Sequence, residues 1–180
     1  MSDVHGGAEA APTEDVVELI LADHREFERL FRLLRNREED RAAVRSDLAD
    51  LLVAHAEAEE REIYPALRRR APEEADEIDH GSEEHAEGHE ALLALLQVED
   101  VNDHDAFEDK LEELVESLTH HIDEEERDIL NAAREHVPDD ERDRLGRAFL
   151  AVRDDLLAGS PGDARNVGRL VQAGKERGDL

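Results

Sequence analysis

Four long segments of this 180-residue chain repeat apolar residues at steps of three and four, and this spacing constrains the fold more than any other feature. In the first segment the pattern runs through Val17, Ile20, Phe27 and Phe31. Residues three and four apart lie on one face of an α-helix, so each segment predicts an amphipathic helix. Four apolar faces joined by short connections predict an all-α, up-down-up-down four-helix bundle.

Breaks in the same pattern set the limits of the helices. The second helix is expected to kink at Pro65, because proline cannot donate a backbone hydrogen bond. The third is expected to begin at Pro72 and the fourth to end near His136. A fifth, shorter helix is predicted over residues 139–158. The chain therefore divides into a disordered lead, a helical domain and a flexible C-terminal tail, at residues 1–12, 13–158 and 159–180.

The composition excludes several function classes. The chain has 22 lysine and arginine residues against 50 aspartate and glutamate residues, a formal net charge of −28, so nucleic acid and anionic membranes would repel it. There is no cysteine, which excludes disulfides and thiolate metal sites. The lack of a long apolar run predicts a soluble, cytoplasmic protein. The acidic excess is typical of proteins from halophiles, because molar salt screens repulsion between carboxylates.

Histidines interrupt the apolar face of every long predicted helix. Glu59 and Glu125 share that placement, each four residues after one of these histidines. Residues four apart point the same way, so each pair directs two metal-binding side chains into the bundle. Burying an ionised carboxylate without a partner costs several kcal/mol, and no arginine or lysine lies on the opposing faces. Bound cations would supply the charge, which predicts a metal site made of His24, His55, Glu59, His85, His89, His121 and Glu125.

The ligand types narrow the choice of metal. Imidazole and carboxylate without thiolate suit iron, manganese, cobalt or zinc. Five histidines and two glutamates exceed the needs of one four-coordinate zinc and fit two six-coordinate ions with bridging carboxylates. A ferritin-type site is disfavoured because the Glu-x-x-His spacing occurs only at Glu77 and His80, away from this cluster. The H-E-x-x-H motif of metalloproteases is also missing, since HEALL at His89 lacks the second histidine.

Four motifs together resemble the hemerythrin family in its bacterial and archaeal HHE cation-binding form. In chain order they are DHREFERLF, HAEAEEREIYPAL, EEHAEGHEALLALL and HIDEEERDIL. The likeness spans residues 14–137. It implies a non-haem di-iron centre inside the bundle, with two irons joined by carboxylates and an oxo or hydroxo bridge.

The resemblance also implies which histidines bind which ion. His85, His89 and His121 would bind one iron. His24 and His55 would bind the other, with one position left open where dioxygen binds in the oxygen-carrying members.

Bridging carboxylates follow from the same resemblance. Glu59 would join the two irons. For the second bridge, oxygen carriers of the family have an aspartate five residues after the last histidine, whereas HHE relatives often have a glutamate four residues after it. Here Glu125 is at the four-residue position, near the centre of the apolar face, while Glu126 turns toward its edge. Glu125 is therefore the preferred second bridge.

The other histidines have no placement that distinguishes them from surface residues. They are His5, His80, His104, His120 and His136. Ligating histidines normally donate their second N–H to an acceptor, and Glu60, Glu84 and Asp123 are available. The acidic composition nevertheless favours interpreting each of these three as plain surface.

Three functions compete. The favoured one is a binding protein, more than an enzyme, that binds or senses dioxygen, iron or nitric oxide inside an apolar bundle. The second is a di-iron oxidase, a peroxidase, or a nitric-oxide stress and iron–sulfur repair protein; members with the repair role often carry a cysteine-containing N-terminal segment that this chain lacks. The third is a bundle without metal. The oligomeric state stays open.

Overall fold

Residues 14–180 are described by the computed structural model, and within this range the chain forms helices and turns without strands. The α-helices are α1 (Val16–Arg35), α2 (Arg41–Ala58), α3 (Tyr64–Arg70), α4 (Ala75–Leu96), α5 (His104–Glu124), α6 (Leu130–His136), α7 (Asp139–Leu157) and α8 (Ala164–Arg177). Two π-helical segments complete the long rods: Glu59–Ile63 joins α2 to α3, and Glu125–Ile129 joins α5 to α6. The expected disordered lead, residues 1–12, lies outside the described residues.

The bundle consists of α1, α2 continued by α3, α4, and α5 continued by α6. Contacts between α1 and the last of these rods show that the two run antiparallel. Arg35, at the end of α1, hydrogen-bonds Glu112 in the first half of α5, whereas His24 contacts Glu126 beyond the end of α5. The all-α bundle predicted from the apolar spacing is confirmed.

The apolar core is divided in two, with buried histidines between the halves. On α1, Ile20 belongs to one apolar cluster, Phe27 belongs to the other, and His24 lies between them. On α2, Val53 and Ala58 flank His55 in the same way. Because both apolar clusters pack all four rods together, the polar layer between them is held from two sides.

The break in the second long helix begins earlier than predicted. The π-helical segment starts at Glu59, whereas Pro65 occupies the first turn of α3, where its missing N–H is tolerated. A second π-helical segment starts at Glu125 without any proline. Both segments thus begin at a predicted metal ligand, and π-helical turns are frequent at functional sites.

Helix α7 corresponds to the fifth helix predicted over residues 139–158. It packs against α1 and α2. Gly146 allows the close approach, because a Cβ atom there would lie 1.6 Å from the backbone oxygen of Glu14.

The prediction of a flexible tail after residue 158 is wrong for residues 164–177. They form α8, which packs against α4 and buries Val167 and Val171. The apolar positions of this short helix are spaced by four, but glycines and arginines between them obscure the pattern. Across residues 14–180, none of the helices is both long enough and apolar enough to cross a membrane.

Candidate metal centre

The seven predicted metal-binding side chains lie in the polar layer between the two apolar clusters, and none is more than 7% exposed. All four rods contribute. His24 lies on α1, His55 on α2 and His121 on α5, while His85 and His89 are one turn apart on α4. The two glutamates each occupy the first position of a π-helical segment.

Glu59 lies between histidines of two different helices. Its Oε2 atom is 3.3 Å from His55 Nε2 and 3.2 Å from His85 Nε2. Two ligand atoms that are each about 2.1 Å from one ion are about 3.0 Å apart at a right angle and about 3.4 Å apart at the tetrahedral angle. The two distances therefore suit coordination of a shared ion by Glu59 with either histidine.

Glu125 lies between the other two histidines. Its Oε2 atom is 3.2 Å from His24 Nε2 and 3.8 Å from His121 Nε2, and its Oε1 atom accepts a 3.0 Å hydrogen bond from the Tyr64 hydroxyl. Glu126 has a 41% exposed side chain and contacts the outer nitrogen of His24 instead. The geometry thus places Glu125, and not Glu126, against the inward-facing nitrogens.

The ligand atoms fall into two groups, each with all of its atoms within 4.8 Å of one another. The groups are His24, His55 and Glu125, and Glu59, His85 and His121. His89 belongs to neither group, although its Nε2 atom is buried and has no hydrogen-bond partner among the described residues.

The inward-facing atoms of the cluster share one property: they have no hydrogen-bond partner within residues 14–180. They are Nε2 of His24, His55, His85, His89 and His121, both oxygens of Glu59, and Oε2 of Glu125. Each buried polar atom without a partner costs about 1–3 kcal/mol, and charged groups cost more. Because carboxylate oxygens and neutral imidazole nitrogens all present lone pairs, cations match this set, and the residues present fit a metal centre.

The outer nitrogens, by contrast, are paired with carboxylates in four of the five histidines. At N–O distances of 2.8–3.0 Å the pairs are His24 with Glu126, His55 with Asp23, His85 with Glu60, and His121 with Glu84. An ionised carboxylate only accepts hydrogen bonds, so Nδ1 donates and the neutral imidazole keeps its lone pair on Nε2. The interpretation of Glu60 and Glu84 as plain surface residues is therefore wrong. Asp123, interpreted in the same way, is exposed.

With the protein atoms alone, the glutamates draw positive charge into the cluster. Burial lowers the pKa of His24, but the carboxylate of Glu125, 3.2 Å from its Nε2 atom, and the charge of Glu59 outweigh burial and raise that pKa to about 9. Burial also lowers the pKa of His85. Glu59 and a second glutamate outweigh burial and raise that pKa to about 10. His89 has no such partner, and burial lowers its pKa to about 3.

A family model described as the hemerythrin HHE cation binding domain matches residues 15–133, more than half of the chain and every residue of the cluster. The chain belongs to the hemerythrin HHE family. The resemblance inferred from the four motifs is thereby confirmed, and the family description assigns cation binding to this domain. No curated protein and no solved structure matches the chain.

A buried tyrosine braces one central glutamate of this hemerythrin domain. Tyr64 is the single tyrosine of the sequence, and its hydroxyl donates to Glu125. Its ring stacks parallel to the imidazole of His85, with the ring centroids 5.4 Å apart. Gly81 leaves room for the hydroxyl, since a Cβ atom there would lie 2.9 Å from it. The sequence analysis missed this tyrosine.

Helix α7, beyond the matched family range, supports the histidines of α1 and α2. Arg153 donates a 2.7 Å hydrogen bond to Asp23 Oδ1, and Asp23 Oδ2 accepts from His55 Nδ1. Burial raises the pKa of Asp23, but His55 and Arg153 outweigh this and hold the pKa below its usual value, so the carboxylate stays ionised. Phe149 is fully buried and packs edge-on against the His55 ring at 5.7 Å between centroids.

The α4 histidines border an opening in the surface. A cavity of about 540 Å³ is lined by His85 and His89, and by Leu170 and Arg177 of α8. The cavity therefore borders the centre on the side of α4 and α8.

Some of the supporting residues carry a local signal that could have revealed them. Asp23 directly precedes His24, and Glu84 directly precedes His85. One step along a helix turns a side chain by about 100°, which directs the acidic neighbour of a ligand toward the next helix. An acidic residue directly beside an inward-facing ligand was thus a usable pattern, although His55 and His121 have none. Arg153 has no comparable signal, because α7 carries no metal-binding motif.

Proposed function

We propose that this hemerythrin domain holds two non-haem iron ions and uses them to bind or sense a small diatomic molecule, dioxygen or nitric oxide. The proposed ligands are His85, His89 and His121 for one ion, His24 and His55 for the other, and Glu59 and Glu125 for both. Bound ferrous iron would supply an open coordination position and the electrons that such a molecule draws on.

The set of inward-facing lone pairs without partners carries this proposal. Glu59 lies between His55 of one ligand set and His85 of the other. Glu125 has the same relation to His24 and His121. Each carboxylate thus faces a histidine of both sets, which is the placement that a bridging ligand requires.

The charge balance supports the same proposal. The glutamates raise the pKa of His24 and of His85, so protons would neutralise part of the cluster's negative charge in the absence of a bound cation. Metal ligands have to be deprotonated, so iron binding is expected to displace these protons and release them to solvent.

The surroundings favour binding over catalysis. Phe27 packs edge-on against the His55 ring, and Phe149 covers the same imidazole from α7. These apolar rings exclude water from the side of the centre that contains His55. Besides the ligands, the buried proton donor at the centre is Tyr64, and its hydroxyl is already engaged with Glu125.

One observation favours an enzyme as the second candidate. The cavity beside His85 and His89 is much larger than a diatomic molecule and would admit a peroxide or a small reductant. A di-iron oxidase, a peroxidase or a nitric-oxide stress protein with an iron–sulfur repair role would use such an opening.

Iron content tests the proposal directly. Full-length protein purified in molar salt and loaded anaerobically with ferrous iron should contain two irons per chain by elemental analysis. His85→Ala and Glu59→Ala should lose iron, whereas the exposed His136→Ala should retain it. A wild-type protein without stoichiometric iron would sink the proposal.

Stopped-flow oxidation separates the two candidate functions. Mixing the ferrous protein with dioxygen should give a stable oxygenated spectrum that reverses when oxygen is removed. Rapid irreversible oxidation with release of peroxide would favour the enzyme. The binding of nitric oxide to the same ferrous protein, followed by absorption, ranks the two diatomic ligands.

A further inference from the structure

A second cluster of histidines and glutamates lies at the surface of the bundle, between α4 and α5. His80 and Glu84 are one turn apart on α4, and His120 and Glu124 are one turn apart on α5. One potential ligand atom from each of the four lies within 4.8 Å of the other three. The sequence analysis interprets both histidines as plain surface, and their side chains are indeed 48% and 63% exposed.

The four side chains are spaced like the ligands of one ion. His80 Nε2 is 3.4 Å from Glu124 Oε2 and 3.8 Å from Glu84 Oε1. His120 Nε2 is 3.6 Å from Glu84 Oε1 and 3.8 Å from Glu124 Oε2. Four atoms arranged tetrahedrally about 2.1 Å from an ion are about 3.4 Å apart. A small closing movement of the exposed histidines would complete such a shell.

Glu84 points a buried oxygen without a partner into this cluster. The residue is only 5% exposed, and its Oε2 atom accepts a 3.0 Å hydrogen bond from His121 Nδ1. Its Oε1 atom is buried and has no hydrogen-bond partner within residues 14–180. A solvated surface glutamate would have water at both oxygens, whereas this one needs a partner between His80 and His120.

The neighbouring residues orient the site for a metal. Glu83 Oε2 lies 3.5 Å from His80 Nδ1, which leaves His80 Nε2 directed at the cluster. A carboxylate at the outer nitrogen is typical of metal-bound histidine. Two imidazoles select a transition metal over calcium or magnesium, which prefer oxygen ligands.

We propose that His80, Glu84, His120 and Glu124 bind one divalent transition-metal ion of the zinc type, separate from the core centre. His120 and Glu124 precede the core pair His121 and Glu125 by one residue each, so the two pairs are turned by about 100° around the rod that α5 forms with the following π-helical segment. The same H-x-x-x-E spacing thus serves the inside and the outside of one helix. The two sites lie on different faces of α4 and α5 and are linked through Glu84, whose Oε2 atom accepts from His121 while its Oε1 atom faces the surface cluster. The proposal does not depend on iron in the core, because that hydrogen bond is present in the protein alone.

Zinc titration by isothermal calorimetry tests this site. Iron-loaded full chain would be titrated with Zn²⁺ in excess Ca²⁺, which occupies the carboxylate-only sites of so acidic a surface. The comparison is between wild type, the double variant His80→Ala/His120→Ala, and the matched control His136→Ala. His136 is a fair control because it is another exposed histidine beside a glutamate, with its Nε2 atom 3.4 Å from Glu73 Oε1.

We expect the double variant to bind one Zn²⁺ fewer than wild type and the control to bind the same number. Glu124→Gln should weaken that equivalent roughly tenfold or more, and Co²⁺ in its place should show the strong visible absorption of a four-coordinate ion. No difference between the double variant and wild type, or an equal loss in His136→Ala, would overturn the proposal. Because the readout is a difference between variants, it holds whether or not the core takes iron.

Discussion

The two halves of the core centre are enclosed in different ways. On the α1 and α2 side, Phe149 covers His55, and Arg153 holds Asp23 against the same imidazole. On the α4 side, the cavity of about 540 Å³ borders His85 and His89. The first half is therefore closed by an added helix, α7, whereas the second half is open toward α8.

This difference assigns two requirements of such a centre, fixed ligands and an opening for the incoming molecule, to opposite sides. A rigid set of hydrogen bonds fixes the orientation of the α2 histidine, because Asp23 is itself held by Arg153. The cavity lies on the other side, where His89 has no carboxylate partner and burial lowers its pKa to about 3. An imidazole that stays neutral at all ordinary pH values can take up an ion without first losing a proton.

The largest expected effect comes from removing the carboxylate that faces both halves. Glu125→Ala should abolish stoichiometric iron, because its Oε2 atom faces histidines on both sides. Glu126→Ala should weaken iron binding by about 10–100-fold and only on the closed side, because Glu126 supports His24 through its outer nitrogen. Iron content by elemental analysis and affinity by competition with a chelator distinguish the two results.

The matched control is Asp123→Ala, which removes an exposed acid from the same helix end. Iron binding that survives Glu125→Ala but fails in Glu126→Ala would reverse the assignment of the second bridge.

The second prediction compares α7 and α8, the two helices outside the four-helix bundle. Phe149→Ala on α7 should lower the free energy of unfolding by about 3–5 kcal/mol and also weaken iron binding, because Phe149 packs on His55. Val167→Ala on α8 removes two methyl groups from a fully buried side chain and should cost about 1.5 kcal/mol without affecting iron. Urea denaturation and iron titration of the same samples measure both quantities. Equal loss of iron in the two variants would show that α7 has no special relation to the centre.

Much of this arrangement follows from local sequence. The steps of three and four predict the four rods, and histidine followed by glutamate four residues later predicts that Glu59 and Glu125 point inward. Both inferences depend on the geometry of a single helix, which any helix of this sequence shares. They therefore survive without knowledge of how the helices pack.

The features that escaped prediction depend on which helices are neighbours. Asp23 on α1 accepts from a histidine of α2, and Arg153 reaches Asp23 from the distant α7. The position of Asp23 beside His24 marks it as a candidate supporting residue, but no spacing within one helix records which histidine it contacts. The π-helical segment that starts at Glu125 also escaped prediction. No proline or glycine marks its start, and the buried glutamate packs against two other helices.

The smallest expected effect tests whether α7 tunes the closed half. Arg153→Ala should weaken iron binding by about 10–100-fold, because Asp23 would lose one of the two partners that keep it ionised and would hold the His55 ring less firmly. Arg147→Ala is the matched control: it removes another α7 arginine, which pairs with Glu14 at the exposed surface. Chelator competition should show a loss for Arg153→Ala alone, and Arg153→Lys should restore part of it by returning the charge. If both alanine variants bind iron like wild type, the closed half is held by the bundle itself, and α7 only covers it.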